Sequence, residues 1–354
     1  MLINIYKTIL ISFVTTSLYS FSSEKDTLQD KPFDTSELIF HHIKDSHGFH
    51  VAGDISVPLP VILWTDKGLV TFMSSEFHHD VEGKTIVEKN GQKFVNLHEK
   101  IYQLKQGETS VTFDAEHHVT NAIRPLDFSI TKNVFSLFLS IVVMFLIFFT
   151  TAKSYRKSKD GIPTGIGKFM EPIILFIRDE VAIPNIGKNH YQKYMPFLLT
   201  LFFFIWLNNI FGLIPFFPFS SNLSGNIAFT VTLATITFII TLFSSKKYYW
   251  KHMLWMPGLP IPMKLFLAPI EFMGMFIKPI ALTIRLFANI TAGHIIVLSL
   301  VSLTFIFQNY VVGVGSVLFV VFISVIEVLV VAIQAYIFTM LSALYFGQAL
   351  EEEH

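Results

Sequence analysis

Apolar and polar residues alternate along this chain in long blocks rather than in short periods. An apolar run at residues 8–21 is followed by a polar stretch of about a hundred residues, and then by five further apolar runs at 134–152, 196–217, 227–243, 265–307 and 311–346. The first three of these five have the length needed to cross a hydrocarbon core of about 30 Å. The last two are too long to stand upright, at roughly 65 and 54 Å if straight. Each must break into two spans or tilt far beyond the usual ~20°. A break would need a polar connector in mid-run, which only Pro279 in one and Gly313/Gly315 in the other offer, and no turn sequence follows either. We therefore expect two tilted helices forming a hairpin around Gln308-Asn309-Tyr310.

Residues 167–183 carry an apolar stripe among Lys168, Glu171, Arg178, Asp179 and Glu180. This segment is too polar to span and reads as a helix on the cytoplasmic surface. The expected class is an all-α membrane protein with about five transmembrane helices, one such surface helix and a small N-terminal extramembrane segment with some β structure.

The flanking charges orient it. Lys153, Arg156, Lys157 and Lys159 follow the first span, and Lys246, Lys247 and Lys251 follow the third, so both loops are expected inside. The C-terminal Glu351-Glu352-Glu353-His354 then ends inside as well. Residues 1–22, with Lys7 before the run at 8–21 and small residues Ser20 and Ser22 after it, read as a signal peptide in preference to an uncleaved anchor. That fixes the same orientation independently: residues 23–130 outside, in the periplasm, and 131–354 forming the membrane domain.

Within 23–130, residues 55–72 suggest a hairpin around Asp66-Lys67-Gly68. Pro58 and Pro60 would confine its first arm to a sheet edge. Nine of the thirteen histidines lie in this segment, among them His41, His42, His47, His50, His78, His79, His117 and His118. Clustered imidazoles can bind metal, but these spacings match no metal motif, and solvated surface histidines are the ordinary explanation. Asn222-Leu223-Ser224 fits a glycosylation sequon by chance in a short turn.

Composition sharpens this picture. The chain is 52% hydrophobic with 38 Phe, a mean hydropathy of +0.55 and only 15% charged residues. Its net charge of zero conceals a division: residues 24–130 hold 17 acidic and 10 basic residues, and the remainder 9 and 16. The absence of cysteine excludes disulfides, zinc-thiolate sites and thiol catalysis.

Between residues 265 and 347 only Glu271, Lys278, Arg285 and Glu327 carry formal charge. An arginine at the middle of a span costs at least ~2.5–3.5 kcal/mol, so it marks function by default. Snorkelling to a headgroup is the less favoured reading, since some twenty apolar residues on each side leave no near interface. Glu271, Lys278 and Arg285 recur at seven-residue steps and share a helix face; Asn289 follows at i+4. On the proposed hairpin, Arg285 and Gln334 have a midpoint of 309.5, and His294 and Glu327 one of 310.5, so both pairs sit at matching depths. Histidine and carboxylate exchange protons, whereas a guanidinium is effectively never deprotonated. An internal salt bridge that merely holds the hairpin is the structural alternative. His294 and Arg285 are nine residues apart and face opposite sides of an ideal helix, so either the helix bends near Ala292-Gly293 or the two serve different compartments.

Residues 279–294, Pro-Ile-Ala-Leu-Thr-Ile-Arg-Leu-Phe-Ala-Asn-Ile-Thr-Ala-Gly-His, closely resemble the signature of the a subunit of F-type ATP synthases. The resemblance extends through Leu207-Asn208-Asn209-Ile210-Phe211-Gly212-Leu213-Ile214-Pro215, Glu271 with Lys278-Pro279, and Ile333-Gln334-Ala335-Tyr336-Ile337-Phe338, and covers about residues 125–354. It implies a non-catalytic stator subunit in the bacterial inner membrane, without cofactors or nucleic acid. Its partners would be a rotating ring of c subunits, the b subunit and other synthase subunits. By the resemblance Arg285 is the essential arginine with Gln334 beside it. Asn289, His294, Glu327 and Glu271 belong to the proton path through two half-channels. The chain departs from many bacterial members by exchanging the histidine and glutamate at 294 and 327, and by Gly212 where an acidic residue can stand. A self-contained transporter would show internal repeats and broken spans, and an intramembrane protease would show HExxH or a Ser/His or Asp pair; neither pattern is present.

Overall fold

A computed structural model describes residues 44–52, 55–114, 119–158, 162–214, 217–255, 260–307 and 309–351. The signal segment, His41, His42, His117, His118, Lys159, Pro215, Gln308 and the last three residues lie outside them. The chain divides into two compact units, one within residues 1–137 and 214–221, the other within 138–213 and 222–354.

The first unit is built of short antiparallel strands. β1 (Gly48–Ala52) pairs with β2 (Ile55–Pro58); β4 (Gly68–Met73), β3 (Pro60–Thr65) and β9 (Leu126–Asp127) form a second sheet in that order. β5 (Val87–Lys89), β6 (Gln92–Leu97), β7 (Lys100–Leu104) and β8 (Ala122–Ile123) form the third. The hairpin expected at Asp66-Lys67 is the β3–β4 turn, closed by the Thr65–Gly68 pair, with Gly68 supplying the φ of +105° that the turn needs.

The expected edge position of that hairpin's first arm is overturned: β3 is the central strand, flanked by β4 and β9. The prolines escape the penalty because Pro58 closes β2 and Pro60 opens β3, where a missing N–H is tolerated. Inward residues Val61, Leu63, Val70 and Phe72 pack on Phe77, Val87, Phe94 and Ile101 in one core.

Also within this unit is the first turn of α1 (Lys132–Lys157). Helix N-termini carry orphan N–H groups, and here the Lys132 N–H donates to the Ser46 carbonyl and that of Asn133 to the Asp45 carboxylate, at 2.9 and 3.0 Å. Phe135 packs edge-on against Phe49, with ring centroids 5.3 Å apart.

The second unit is helical: α2 (Ile166–Phe176), a π-helical turn (Ile177–Ala182), α3 (Ile183–Ile186), α4 (Tyr191–Leu213), α5 (Ile227–Ser244), α6 (Lys247–Leu254), α7 (Ile261–Phe307) and α8 (Tyr310–Leu350). With α1, the helices α4, α5, α7 and α8 are long and apolar enough to cross a membrane, giving the expected five. α4 begins five residues before Pro196, where the second span was placed, because Tyr191 already bonds back to the Gly187 carbonyl.

The two long runs are single helices, α7 of 47 and α8 of 41 residues. At about 1.5 Å per residue they measure roughly 70 and 62 Å, so each must lie oblique to the bilayer. α8 is started by Asn309, whose side chain accepts from the Val311 N–H at 2.9 Å.

The short surface helices are clamped rather than loosely apposed. Ile177, Val181 and Ala182 are fully buried in the same core as Leu198, Ile205, Leu282, Val331 and Phe346. Gly347 makes this possible: a Cβ there would meet the Asn185 carbonyl oxygen at 1.9 Å. The sequon at Asn222 is spent on architecture, since its side chain accepts from the Gly225 N–H at 2.9 Å and Ser224 is buried.

Candidate functional site

α7 buries one narrow stripe, Met275, Leu282, Leu286 and Ile290, spaced by seven, four and four residues. Leu282, Leu286 and Ile290 share one core with Val331, Ala335 and Phe338 of α8. Arg285 and Asn289 each precede a buried residue by one position, which turns them about 100° away. Both are exposed, as is Glu271. The positions a turn to either side on that flank, Ala281 and Ala288, are apolar and also uncovered. Arg285 thus stands on an open apolar face at the middle of a helix able to cross a membrane. Among the described residues no carboxylate lies in salt-bridge range of its guanidinium.

The heptad stripe divides between two neighbours. Lys278 turns towards α8, donating to Gln348 Oε1 at 2.7 Å with its ammonium 5.3 Å from the Tyr345 ring centre. With Thr237, Thr241 and Tyr249 these residues line a crevice between α5, α6, α7 and α8. Burial, and then the charge of Glu271, raise the Tyr249 phenol above its ordinary value. Glu271 therefore acts at the α6 end of α7, remote along the helix from Arg285.

Contacts between the long helices define the hairpin register. Gly313 lies against Thr304, Gly293 against Glu327, and Lys278 bonds Gln348, with midpoints of 308.5, 310 and 313. A Cβ on Gly293 would meet Glu327 Oε1 at 2.0 Å. The glutamate thus occupies the notch left by a missing side chain, next to His294, which is half-buried. α7 runs unbroken through Ala292-Gly293, so no interruption there turns His294 towards the Arg285 flank. The same register puts Gln334 within a turn of the depth of Arg285, but the two differ in setting. Gln334 is buried, on the α8 stripe that includes Val331, Ala335 and Phe338.

One polar group of interest did not stand out in the sequence. Asn209 of α4 is 3% exposed, and among the described residues neither its amide nitrogen nor its oxygen has a hydrogen-bond partner. Its neighbour Asn208 donates to the Phe204 carbonyl at 2.7 Å, leaving only its oxygen unbonded. Buried threonines of this unit follow the usual pattern, with Thr237, Thr241 and Thr283 bonding back to their own helices. A buried amide with no partner is costly and suits a site that water can reach. The Asn-Asn pair was visible in the sequence, but its burial depends on packing.

The histidines of the first unit make no metal centre among the described residues. His47 is buried between Glu99 and Asp127, at 3.7 and 3.5 Å. Burial alone would push the imidazole down, but the two carboxylates outweigh it and raise the pKa to about 9. It is an internal cation of the β unit.

Residues 134–347 match the family model described as ATP synthase A chain. Residues 38–128 match a separate model, described as a domain of unknown function (DUF8433). ATP synthase subunit a of Chloroherpeton thalassium is 43% identical over 231 residues, 64% of this chain and 68% of that protein. The protein of the same name from Chlorobium phaeobacteroides strain DSM 266 is 44% identical over 236 residues, 64% and 67% of the two chains. That of Anaeromyxobacter sp. is 36% identical over 242 residues, 65% and 57%.

Proposed function

We propose a mechanism of proton translocation for this chain, which belongs to the ATP synthase A chain family and is a multi-pass membrane component of that complex. It serves as the proton-translocating stator subunit and carries no catalytic site of its own. Its partners are the rotating ring of c subunits, the b subunit and further synthase subunits. The N-terminal segment faces the periplasm and the C-terminus the cytoplasm of a bacterial inner membrane, as the basic loops after α1 and α5 favour.

The observation that carries the reading is the open position of Arg285 on an apolar face with no carboxylate in range among the described residues. A charge at that depth needs a counter-ion, and within this family the fitting one is a carboxylate carried past by the ring. A proton entering from outside passes His294 and Glu327, packed at Gly293 on the α7–α8 seam, and neutralises the ring carboxylate so that it can turn into lipid. Asn209, whose amide is buried without a partner among the described residues, holds water on this entry side. Asn289, one turn from Arg285, lies on the face that meets the ring. After the ring carboxylate has released its proton inwards, along the crevice near Glu271 and Lys278, Arg285 favours its ionised form and blocks direct passage between the two paths. Gln334 supports the seam at the same level from the buried side. Each elementary charge crossing yields ~2.3 kcal/mol per 100 mV, and the arginine makes that energy available only through rotation.

The chain has no cysteine, which permits a direct test. Ala288→Cys, one turn from Arg285 on the same face, should form a disulfide with a cysteine placed beside the ring carboxylate, whereas Leu303→Cys, well along α7, should not. Equal cross-linking of both, or failure of the chain to co-purify with a ring of small subunits, would contradict the assignment.

A further inference from the structure

The β unit has an apolar face that its own core does not use. In the β4–β3–β9 sheet the residues pointing away from the core are Ile62, Trp64, Leu69, Thr71, Met73 and Leu126, none of them charged. Trp64 lies between Leu69 on one side and Leu126 on the other in the strand register. Their exposures are 55%, 54% and 65%, and Phe128, the next outward residue along that edge, is 63% exposed. Asp127, between Leu126 and Phe128, points the other way to His47. A contiguous row of this kind on a soluble surface marks an interaction site.

Its occupant follows from how the sheet is joined to the membrane. The edge strand continues without a linker into α1. The Phe128 N–H donates to the Ile62 carbonyl and that of Ile130 to the Pro60 carbonyl, and Lys132 begins the helix. Three residues separate Phe128 from Lys132, at most ~14 Å of chain. The start of α1 is itself bonded to Ser46 and Asp45 in front of β1. The sheet is thus tied directly to the first turn of the helix that supplies the first span. Tryptophan is the residue favoured at a membrane–water interface, where an apolar ring meets a wet headgroup layer. The family model described as ATP synthase A chain begins only at residue 134, so this face lies outside the matched membrane domain.

We propose that the Trp64–Leu69–Leu126–Phe128 face seats in the interfacial layer of the bilayer that α1 enters, fixing the β unit on the membrane surface. With no charge on the face and an acidic excess in the segment around it, the contact depends on apolar burial and not on anionic lipid. It rests on the multi-pass reading of the chain and is independent of the proton path.

The cysteine-free chain again allows the test. Leu69→Cys and Leu126→Cys, each carrying an environment-sensitive fluorophore, are compared with Glu88→Cys on the exposed edge of the third sheet, in full-length chain in phosphatidylcholine nanodiscs. Labels at 69 and 126 should be quenched by shallow spin-labelled lipid and lose iodide quenching, with no change when phosphatidylglycerol is added. The label at 88 should show the reverse. Iodide quenching at 69 and 126 equal to that at 88 would overturn the proposal. So would loss of lipid quenching in the assembled complex with iodide still excluded, which would assign the face to another subunit.

Discussion

Gly293→Ala isolates the seam between the long helices with a single methyl group. The new Cβ would stand 2.0 Å from Glu327 Oε1, 3.1 Å from Cδ and 3.4 Å from Cγ. Ordinary contact at about 3.4 Å requires the carboxylate oxygen to retreat by roughly 1.4 Å. The obstructing atoms end a flexible side chain, so a rotamer change costing ~0.5–1.5 kcal/mol suffices. Replacing a helical glycine by alanine returns up to ~1 kcal/mol, and the protein should insert at wild-type levels. Conduction should not survive as well, because a misplacement of about 1 Å at a reacting group costs up to ~100-fold. ATP-driven acidification of inverted vesicles should therefore fall by roughly 10- to 100-fold. Adding Glu327→Asp, shorter by one carbon, should recover part of the loss. Wild-type pumping by Gly293→Ala, with the protein present in normal amount, would refute the placement of Glu327 in the path.

Gly347→Ala is expected to behave differently, since its Cβ would strike the Asn185 carbonyl oxygen at 1.9 Å, a backbone atom that cannot rotate away. Overpacking of ~1–3 kcal/mol or more should lower the thermal stability of the purified chain and its yield in the membrane, and unchanged melting would contradict the clamp. In the β unit the raised pKa of His47 means that folding favours its charged form. That contribution, up to ~3 kcal/mol, is full below about pH 6.5 and fades as pH rises towards 9. Hydrogen exchange at residues 44–49 and 126–132, corrected for intrinsic rate, should rise across this window. His47→Gln should abolish the dependence, and a flat profile in the wild type would contradict the ion cluster.

The membrane architecture was legible because bilayer thickness acts on residues close together in sequence. A long unbroken apolar run leaves few alternatives, and the pairing of residues about a turn near Asn309 follows from helix geometry alone. The central place of β3 was not legible, because its second neighbour β9 comes from some sixty residues further on and is only two residues long. The clamp at Gly347 was hidden for the same reason: its partner Asn185 lies in a helix of four residues. A surface helix could be recognised from its stripe, but not that its apolar side would meet protein. For the site, spacing identified the charged residues yet could not separate Arg285, on an open face, from Lys278, bound to Gln348 on the neighbouring helix. That distinction depends on which stripe of α7 is covered, and hence on packing. Asn209 was quoted within a motif, but its unpartnered amide emerges only from burial.

The central claim is that Arg285 separates two proton paths by meeting a carboxylate that this chain does not itself supply. Arg285→Ala in otherwise intact complexes tests it most directly, by comparing ATP-driven pumping with passive proton conductance after removal of the catalytic sector. The account predicts that pumping is abolished while the chain remains inserted and passive conductance persists. Normal coupled pumping by Arg285→Ala would contradict it.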